Sequence, residues 1–234
     1  MRIHYKFTYC FKCPECGTEY YSLIADKGKW KCYKCGFVFG DAPEPIPPKY
    51  WEGKIVEAIE CDRCGRLVTC TPENFSLASD VQAVLCPFCL EHGRVFAQHL
   101  LAIFYRGKWR EPKFFLYKKN ADGIREVRSY RDKITVWLIA SECKLDTPSL
   151  SSSHVFQKGV HAKILWKDGE AIGYYTYTVD LWEYPTLHTI GVRRKFRGRG
   201  FGTLLLKDFL SSFRGKVGIE SPNETVCRIL ERLG

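Results

Sequence analysis

Eight cysteines stand in four Cys-x-x-Cys pairs, Cys13/Cys16, Cys32/Cys35, Cys61/Cys64 and Cys86/Cys89. Such a turn points both sulfurs at one metal, and two turns complete the tetrahedron that zinc takes from four thiolates. Gly17, Gly36 and Gly65 directly follow three of the pairs. A glycine there lets backbone N–H groups approach the sulfurs. One structural zinc is therefore expected on Cys13, Cys16, Cys32 and Cys35, and a second on Cys61, Cys64, Cys86 and Cys89. Pairs of pairs argue against a thioredoxin-like redox site or an iron–sulfur cluster. Met1 to Lys6 leads into no long apolar run of the secretory kind, so metal is favoured over disulfides. Cys10, Cys70, Cys143 and Cys227 fit the knuckle spacing poorly and read as buried apolar thiols.

A second run carries different chemistry. Ile190-Gly191-Val192-Arg193-Arg194-Lys195-Phe196-Arg197-Gly198-Arg199-Gly200-Phe201-Gly202-Thr203 follows a predicted strand and opens a predicted helix. Small residues let the backbone curl around a phosphate, and a helix N-terminus aims unpaired N–H groups at an anion. No Gly-Lys-Ser/Thr closes the run, so it is not a P-loop. The third glycine is misplaced for a Rossmann fingerprint, and no repeated strand–helix units follow. Five basic side chains between Arg193 and Arg199 suit a ligand bearing a pyrophosphate.

Arg197-Gly198-Arg199-Gly200-Phe201-Gly202 resembles the Arg/Gln-x-x-Gly-x-Gly/Ala signature of the GNAT superfamily of N-acetyltransferases. Ser221-Pro222-Asn223, with Val226 and Leu233-Gly234, is similar to that family's second cofactor motif. The resemblance covers about residues 155–234. It implies acetyl-CoA as cosubstrate. Amides from Gly198 through Arg199, Gly200, Phe201 and Gly202 to Thr203 would hold its pyrophosphate beside Arg197. The backbone of Ile190 and Val192 would pair with the pantetheine arm like an added strand, and Asn223 would lie beside that arm. Arg193, Arg194 and Lys195 would serve either the adenosine 3′-phosphate or the surface.

Acetylating an amine needs a base for the ammonium proton and an acid for the leaving thiolate. Some family members use Glu on the strand before the glycine turn, where this chain has Thr186. His188 lies two residues along on the same strand face, at the position of a His in serotonin-type acetyltransferases. It is the candidate base, and Glu183 is the second candidate catalytic residue. The family's usual acid, a Tyr in the last helix, aligns with Leu230. Tyr174, Tyr175, Tyr177 and Tyr184 are nearby in sequence, with no basis for choosing among them. Two further family strands beyond Gly234 are expected from residues 95–140, from a homo-oligomer or partner chain, or not at all.

These residues need a scaffold, and the chain has 234 residues to build one. The formal net charge of +10 belongs to the second part: residues 1–100 balance 12 Lys/Arg against 12 Asp/Glu, and residues 101–234 carry 24 against 14. Phosphate attraction is thus weak for the cysteine-rich part. No apolar run approaches the roughly 20 residues of a membrane helix, so the expected address is the cytoplasm, with no membrane partner. The reading is α+β: two small zinc-ribbon-like β modules (1–40 and 50–93) joined by a Pro-rich linker (41–49), a connecting region (94–150), and a GNAT-like mixed sheet with flanking helices (151–234). Lys113–Lys119 and Lys133–Ala140 read as strands, Val95–Tyr105 as a strand or short helix, and Ser149–Ser153 as a loop. Between Tyr105 and Lys133, basic residues interleave with Trp109, Phe114, Phe115, Tyr117 and Tyr130. That pattern suits nucleic acid, or a strand with rings inward and charges in water. The leading function is acetyl transfer from acetyl-CoA to an amine of a protein or small molecule. The alternative is a catalytically weak or inactive GNAT-like binding module in a nucleic-acid- or protein-associated assembly.

Overall fold

The computed structural model describes residues 1–71, 81–90, 100–143, 154–179 and 184–233. The chain is α+β, with a cysteine-rich β region leading into a five-stranded sheet flanked by helices.

The first cysteine unit contains β1 (Ile3–Lys12), β2 (Glu19–Tyr20), β3 (Ala25–Asp26), β4 (Lys29–Lys31) and β5 (Val38–Asp41). The Pro-rich segment after it folds back on the unit. Ile46 is buried with Phe39, Cys13 and Cys32, and Trp30 donates its indole N–H to Glu44 O at 2.7 Å. The second unit contains β6 (Trp51–Glu60), β7 (Leu67–Thr69), β8 (Ala83–Leu85), α1 (Pro87–Leu90), β9 (Leu100–Tyr105) and β10 (Lys108–Arg110). β1 and β6 pair antiparallel from Ile3↔Ile59 to Phe11↔Trp51, within one sheet ordered β2-β1-β6-β7. The two units therefore share a sheet.

Next come α2 (Pro112–Leu116), β11 (Gly123–Glu126) and α3 (Tyr130–Cys143). Both helices correct the expected strands at 113–119 and 133–140. Pro112 sits in the first turn of α2, where its missing N–H costs nothing. α3 lacks a polar face over its middle because it is buried from two sides. Val136, Ile139 and Ala140 pack on the five-stranded sheet. Ile134, Trp137 and Leu138 pack on Val81, Ala83, Leu85, Leu100 and Ile103 of the cysteine-rich part. A helix apolar all round has no 3.6-residue signature to read.

The five-stranded sheet adds β12 (Val160–Lys167), β13 (Glu170–Thr178), β14 (Thr186–Val192) and β15 (Gly218–Ile219), in the order β11-β12-β13-β14-β15. All neighbours are antiparallel except β14 and β15. β11 joins at the edge opposite β15, so residues 123–126 do not supply strands beyond the last one. The other face carries α4 (Phe201–Ser212) and α5 (Glu224–Leu233). There Tyr175, Tyr177, Leu205, Leu206 and Phe209 form the core. Among the described residues, no helix is long and apolar enough to cross a membrane.

Candidate functional site

The sulfurs of Cys13, Cys16, Cys32 and Cys35 lie within 4.8 Å of one another, as do those of Cys61, Cys64, Cys86 and Cys89. Individual Sγ···Sγ distances are 3.4 Å for Cys13–Cys35, 3.6 Å for Cys16–Cys32, 3.8 Å for Cys61–Cys89 and 3.7 Å for Cys64–Cys86. A tetrahedron of Zn–S bonds of about 2.3 Å has edges of about 3.8 Å, so each set fits one zinc ion. Three knuckles repeat one backbone pattern. Gly17, Gly36 and Gly65, all at positive φ, donate to the carbonyls of Cys13, Cys32 and Cys61. The fourth pair differs, because Cys89 lies in α1 and Leu90 follows it.

The surroundings treat the thiols unequally: Cys35, Cys86 and Cys89 are pushed up, with burial among the causes, while Cys32 and Cys64 are brought down. Burial opposes ionisation of Cys32, but hydrogen bonds from the Tyr20 hydroxyl and from the backbone of Cys35 and Lys34 bring its thiol down to about 6. The Arg66 backbone brings Cys64 to about 7.

The second site lies where β14 and β15 part. They pair only at Thr186↔Gly218 and Leu187↔Ile219. β14 continues to Val192, while the other chain turns away at Glu220 toward α5. Two cavities open between them, of about 500 Å³ and 230 Å³, sharing Cys143, Ile190, Asn223 and Val226 as walls. The larger is lined by Val192, Arg197, Gly198, Gly200, Phe201, Gly202 and Thr203. Gly200, in the left-handed conformation, precedes α4 without a side-chain cap. The first N–H groups of a helix have no intrahelical acceptor, so this end of the cleft offers backbone donors. A Cβ built on Gly202 meets nothing within 4 Å. The donors and the open space beside them suit a pyrophosphate.

Predicted residues distribute unequally around this cleft. Ile190 and Val192 pair through β13 on one edge only, which leaves their other edge toward the cavity. Arg197 lines the cavity while its Nε donates to Val192 O at 3.0 Å. Asn223 caps α5, its Oδ1 accepting from Val226 N at 3.0 Å. Arg199 is exposed on the turn. Arg193 is not free for a ligand phosphate. It is 9% exposed, and it donates to Glu142 at 2.7 Å, Glu170 at 2.6 Å and Ala171 O at 3.2 Å.

His188 stands at the far end. The β13–β14 register pairs Thr176 with Thr189 and Tyr177 with Leu187, so His188 is the bulged residue. A bulge breaks the ladder and re-aims a side chain. His188 Nδ1 lies 2.5 Å from Glu220 Oε2, and Nε2 lies 2.8 Å from Thr178 Oγ1. The side chain of His188 is 10% exposed and that of Glu220 is 60% exposed, so the carboxylate is the open end of the pair. Glu183 lies outside the described residues.

Sequence reasoning missed Glu220, Thr178 and Cys143, and did not choose among the tyrosines. The pairing of β14 with β15 brings Glu220 to His188. Of the four tyrosines, Tyr174 lines the smaller cavity with His188 and Glu220. Burial pushes its phenol well up, against a hydrogen bond from Thr189. Tyr175 and Tyr177 belong to the core under α4. Burial also pushes the Cys143 thiol up to about 11, against a hydrogen bond from Arg197. Leu230 packs at the edge of the core under α4.

Residues 132–234 match the family model described as the acetyltransferase (GNAT) family. The chain is 41% identical over 155 residues to "Protein FAM169B" of Mus musculus, covering 57% of this chain and 45% of that protein. It is 39% identical over 62 residues to "Protein FAM169BP" of Homo sapiens, covering 22% of this chain and 32% of that one. The chain thus spans less than half the length of these curated relatives. Similar solved structures include the ribosomal-protein-S18-alanine N-acetyltransferase of Escherichia coli, with 18% identity, a TM-score of 0.41, and coverage of 49% of this chain and 77% of that one. A ribosomal-protein-alanine N-acetyltransferase from Brucella melitensis has 15% identity, a TM-score of 0.39, and coverage of 49% and 91%.

Proposed function

We propose, from the match of residues 132–234 to the acetyltransferase (GNAT) family model, that the chain transfers an acetyl group from acetyl-CoA to the amine of a protein or small molecule. One observation carries this reading. The cleft along the unpaired edge of β14 has backbone donors at the glycine turn and a proton-accepting pair, His188 and Glu220, at the other end.

The amides of Gly198 to Thr203 bind the pyrophosphate, where the dipole of α4 favours negative charge. The backbone of Ile190 and Val192 orients the pantetheine arm, with Asn223 and Val226 as the opposite wall. When bound, the coenzyme supplies the activated acetyl group as a thioester. Glu220 faces the acceptor and takes the ammonium proton, with His188 holding the carboxylate in place and sharing the charge. Tyr174 lines the smaller cavity, stays protonated in its buried setting and donates a hydrogen bond to the leaving sulfur, which takes its proton from solvent. The two cysteine sets would each hold one structural zinc, which would tie their knuckles together.

The test is a screen of amines, peptides and RNA for labelled acetyl incorporation, with thioester hydrolysis as control. A thermal shift with acetyl-CoA runs alongside it. Incorporation into an amine supports the reading. No shift at millimolar acetyl-CoA removes it. A second reading, a GNAT-like binding module without turnover, is favoured by Leu230 at the position of the usual acid. A thermal shift without incorporation into any acceptor selects that reading.

A further inference from the structure

We propose a second ligand site, for a nucleotide unit, in the cavity walled by Trp109, Arg110, Phe114, Tyr117 and Arg131. It measures about 800 Å³ and shares no lining residue with the larger cavity of the β14 cleft. The inference does not depend on acyl transfer.

The walls combine aromatic surface with guanidinium groups. Phe114 carries two of them, Arg131 at 4.4 Å and Arg110 at 5.1 Å from the ring centroid. Arg131 donates to the carbonyls of Phe114 at 2.6 Å and Tyr117 at 3.0 Å, which fixes its plane. Arg110 lines the cavity, and its Nε, closed off from solvent, has no acceptor among the described residues. The side chains around the cavity bring four cations (Arg110, Lys113, Arg131, Arg193) against two carboxylates (Glu111, Glu170). Both carboxylates are already engaged. Glu111 meets Lys113 at 2.6 Å, and Glu170 meets Arg193 and Lys195 at 2.6 Å each. Positive charge is therefore left over.

These features select a ligand class. An inorganic anion would answer the excess positive charge but leave the aromatic walls wet. A neutral apolar ligand would cover the walls and leave the excess positive charge unanswered. A nucleotide does both, with its phosphate on a guanidinium and its base against Tyr117, which is 56% exposed. The volume is in the range of small-ligand pockets. The free nucleotide and the end of a single strand present this same chemistry.

The experiment is isothermal titration calorimetry of the zinc-loaded full chain with uridine 5′-monophosphate and with a short oligouridylate. Pyrimidine probes avoid mimicking the adenosine of acetyl-CoA. Binding is expected for at least one probe, weakened about tenfold or more by Arg110→Ala and by Tyr117→Ala. The exposed Tyr117 serves as the variant that keeps the fold, checked by its melting curve. Saturation by the mononucleotide supports a free nucleotide. An oligomer tighter by more than about tenfold supports a strand end. No heat with either probe at millimolar concentration overturns the site. So does binding unchanged in both variants, or binding abolished by Gly202→Glu, which would locate the probe in the β14 cleft.

Discussion

The carboxylate of Glu220 lies 2.5 Å from Nδ1 of His188, across 32 positions of sequence. The contact exists because β15 runs parallel to β14 for only two residue pairs before the chain departs. Glu220 is the first residue past that pairing, and His188 is the bulged residue opposite. Glu220→Gln should lower turnover about 100-fold, the scale of general acid–base catalysis, with the acetyl-CoA dissociation constant unchanged. His188→Ala should behave alike, and the double variant should lose little more than either single one, since the two act as a unit. Steady-state kinetics and calorimetry on the four proteins check this. Additive losses would separate the two residues.

Gly202→Glu introduces a carboxylate where a Cβ has open space, in helical backbone without positive φ. The fold should persist, and acetyl-CoA should no longer raise the melting temperature. For the unaltered chain, ligand at 100 times its dissociation constant adds about 2.7 kcal/mol. A retained shift in the variant would move the pyrophosphate elsewhere.

Arg193→Ala removes a 9% exposed guanidinium that pairs with Glu142 and Glu170, leaving Glu170 with Lys195 alone. Breaking a fully buried pair on one side costs about 3 kcal/mol; Glu142 and Glu170 are 29% and 32% exposed, so a smaller loss and a lower urea midpoint are expected. Acidification adds a sign. Burial tends to raise the Glu170 carboxyl, but Lys195 and Arg193 outweigh it and hold it below its ordinary value of 4.5. Its folded value is the lower one, so its contribution is present above about pH 4.5 and is lost as pH falls through the folded value. The variant should show a shallower loss of stability in that acid range.

Trp137→Ala should cost about 3–5 kcal/mol, as for a large aromatic removed from a core. Trp137 is 1% exposed, between α3 and the cysteine-rich part. Because α3 also packs on the five-stranded sheet, loss is expected in both parts together. Circular dichroism with separate probes of the metal sites and the cleft would reveal two transitions if the parts were independent.

Metal analysis should find about two zinc ions per chain from the two four-cysteine sets. Chelation should unfold residues around both sets, because metal-binding energy is folding energy in such small units. Iron, or no metal at all, would overturn the assignment.

What the sequence disclosed was local. The cysteine knuckles and the Gly198–Gly202 turn announce themselves because each is set by neighbours within a few positions. The rest depended on tertiary pairing. α3 was unreadable as a helix because Ile134 and Trp137 face one part while Val136 and Ile139 face another. Arg193 looked like one more cation in a basic run, and only folding brings Glu142 and Glu170 to it. No periodicity in residues 170–178 distinguishes Tyr174 from Tyr175, since the choice lies in which face of β13 meets the cleft.

The ladder between β1 and β6 has a consequence for dissecting the protein. A fragment beginning at Trp51 would keep one complete four-cysteine set yet leave β6 unzipped on one side from Trp51 to Ile59. Bare N–H and C=O groups along such a margin recruit other strands. The shortened protein would therefore self-associate or precipitate, and a negative activity result from it would say nothing about the catalytic part.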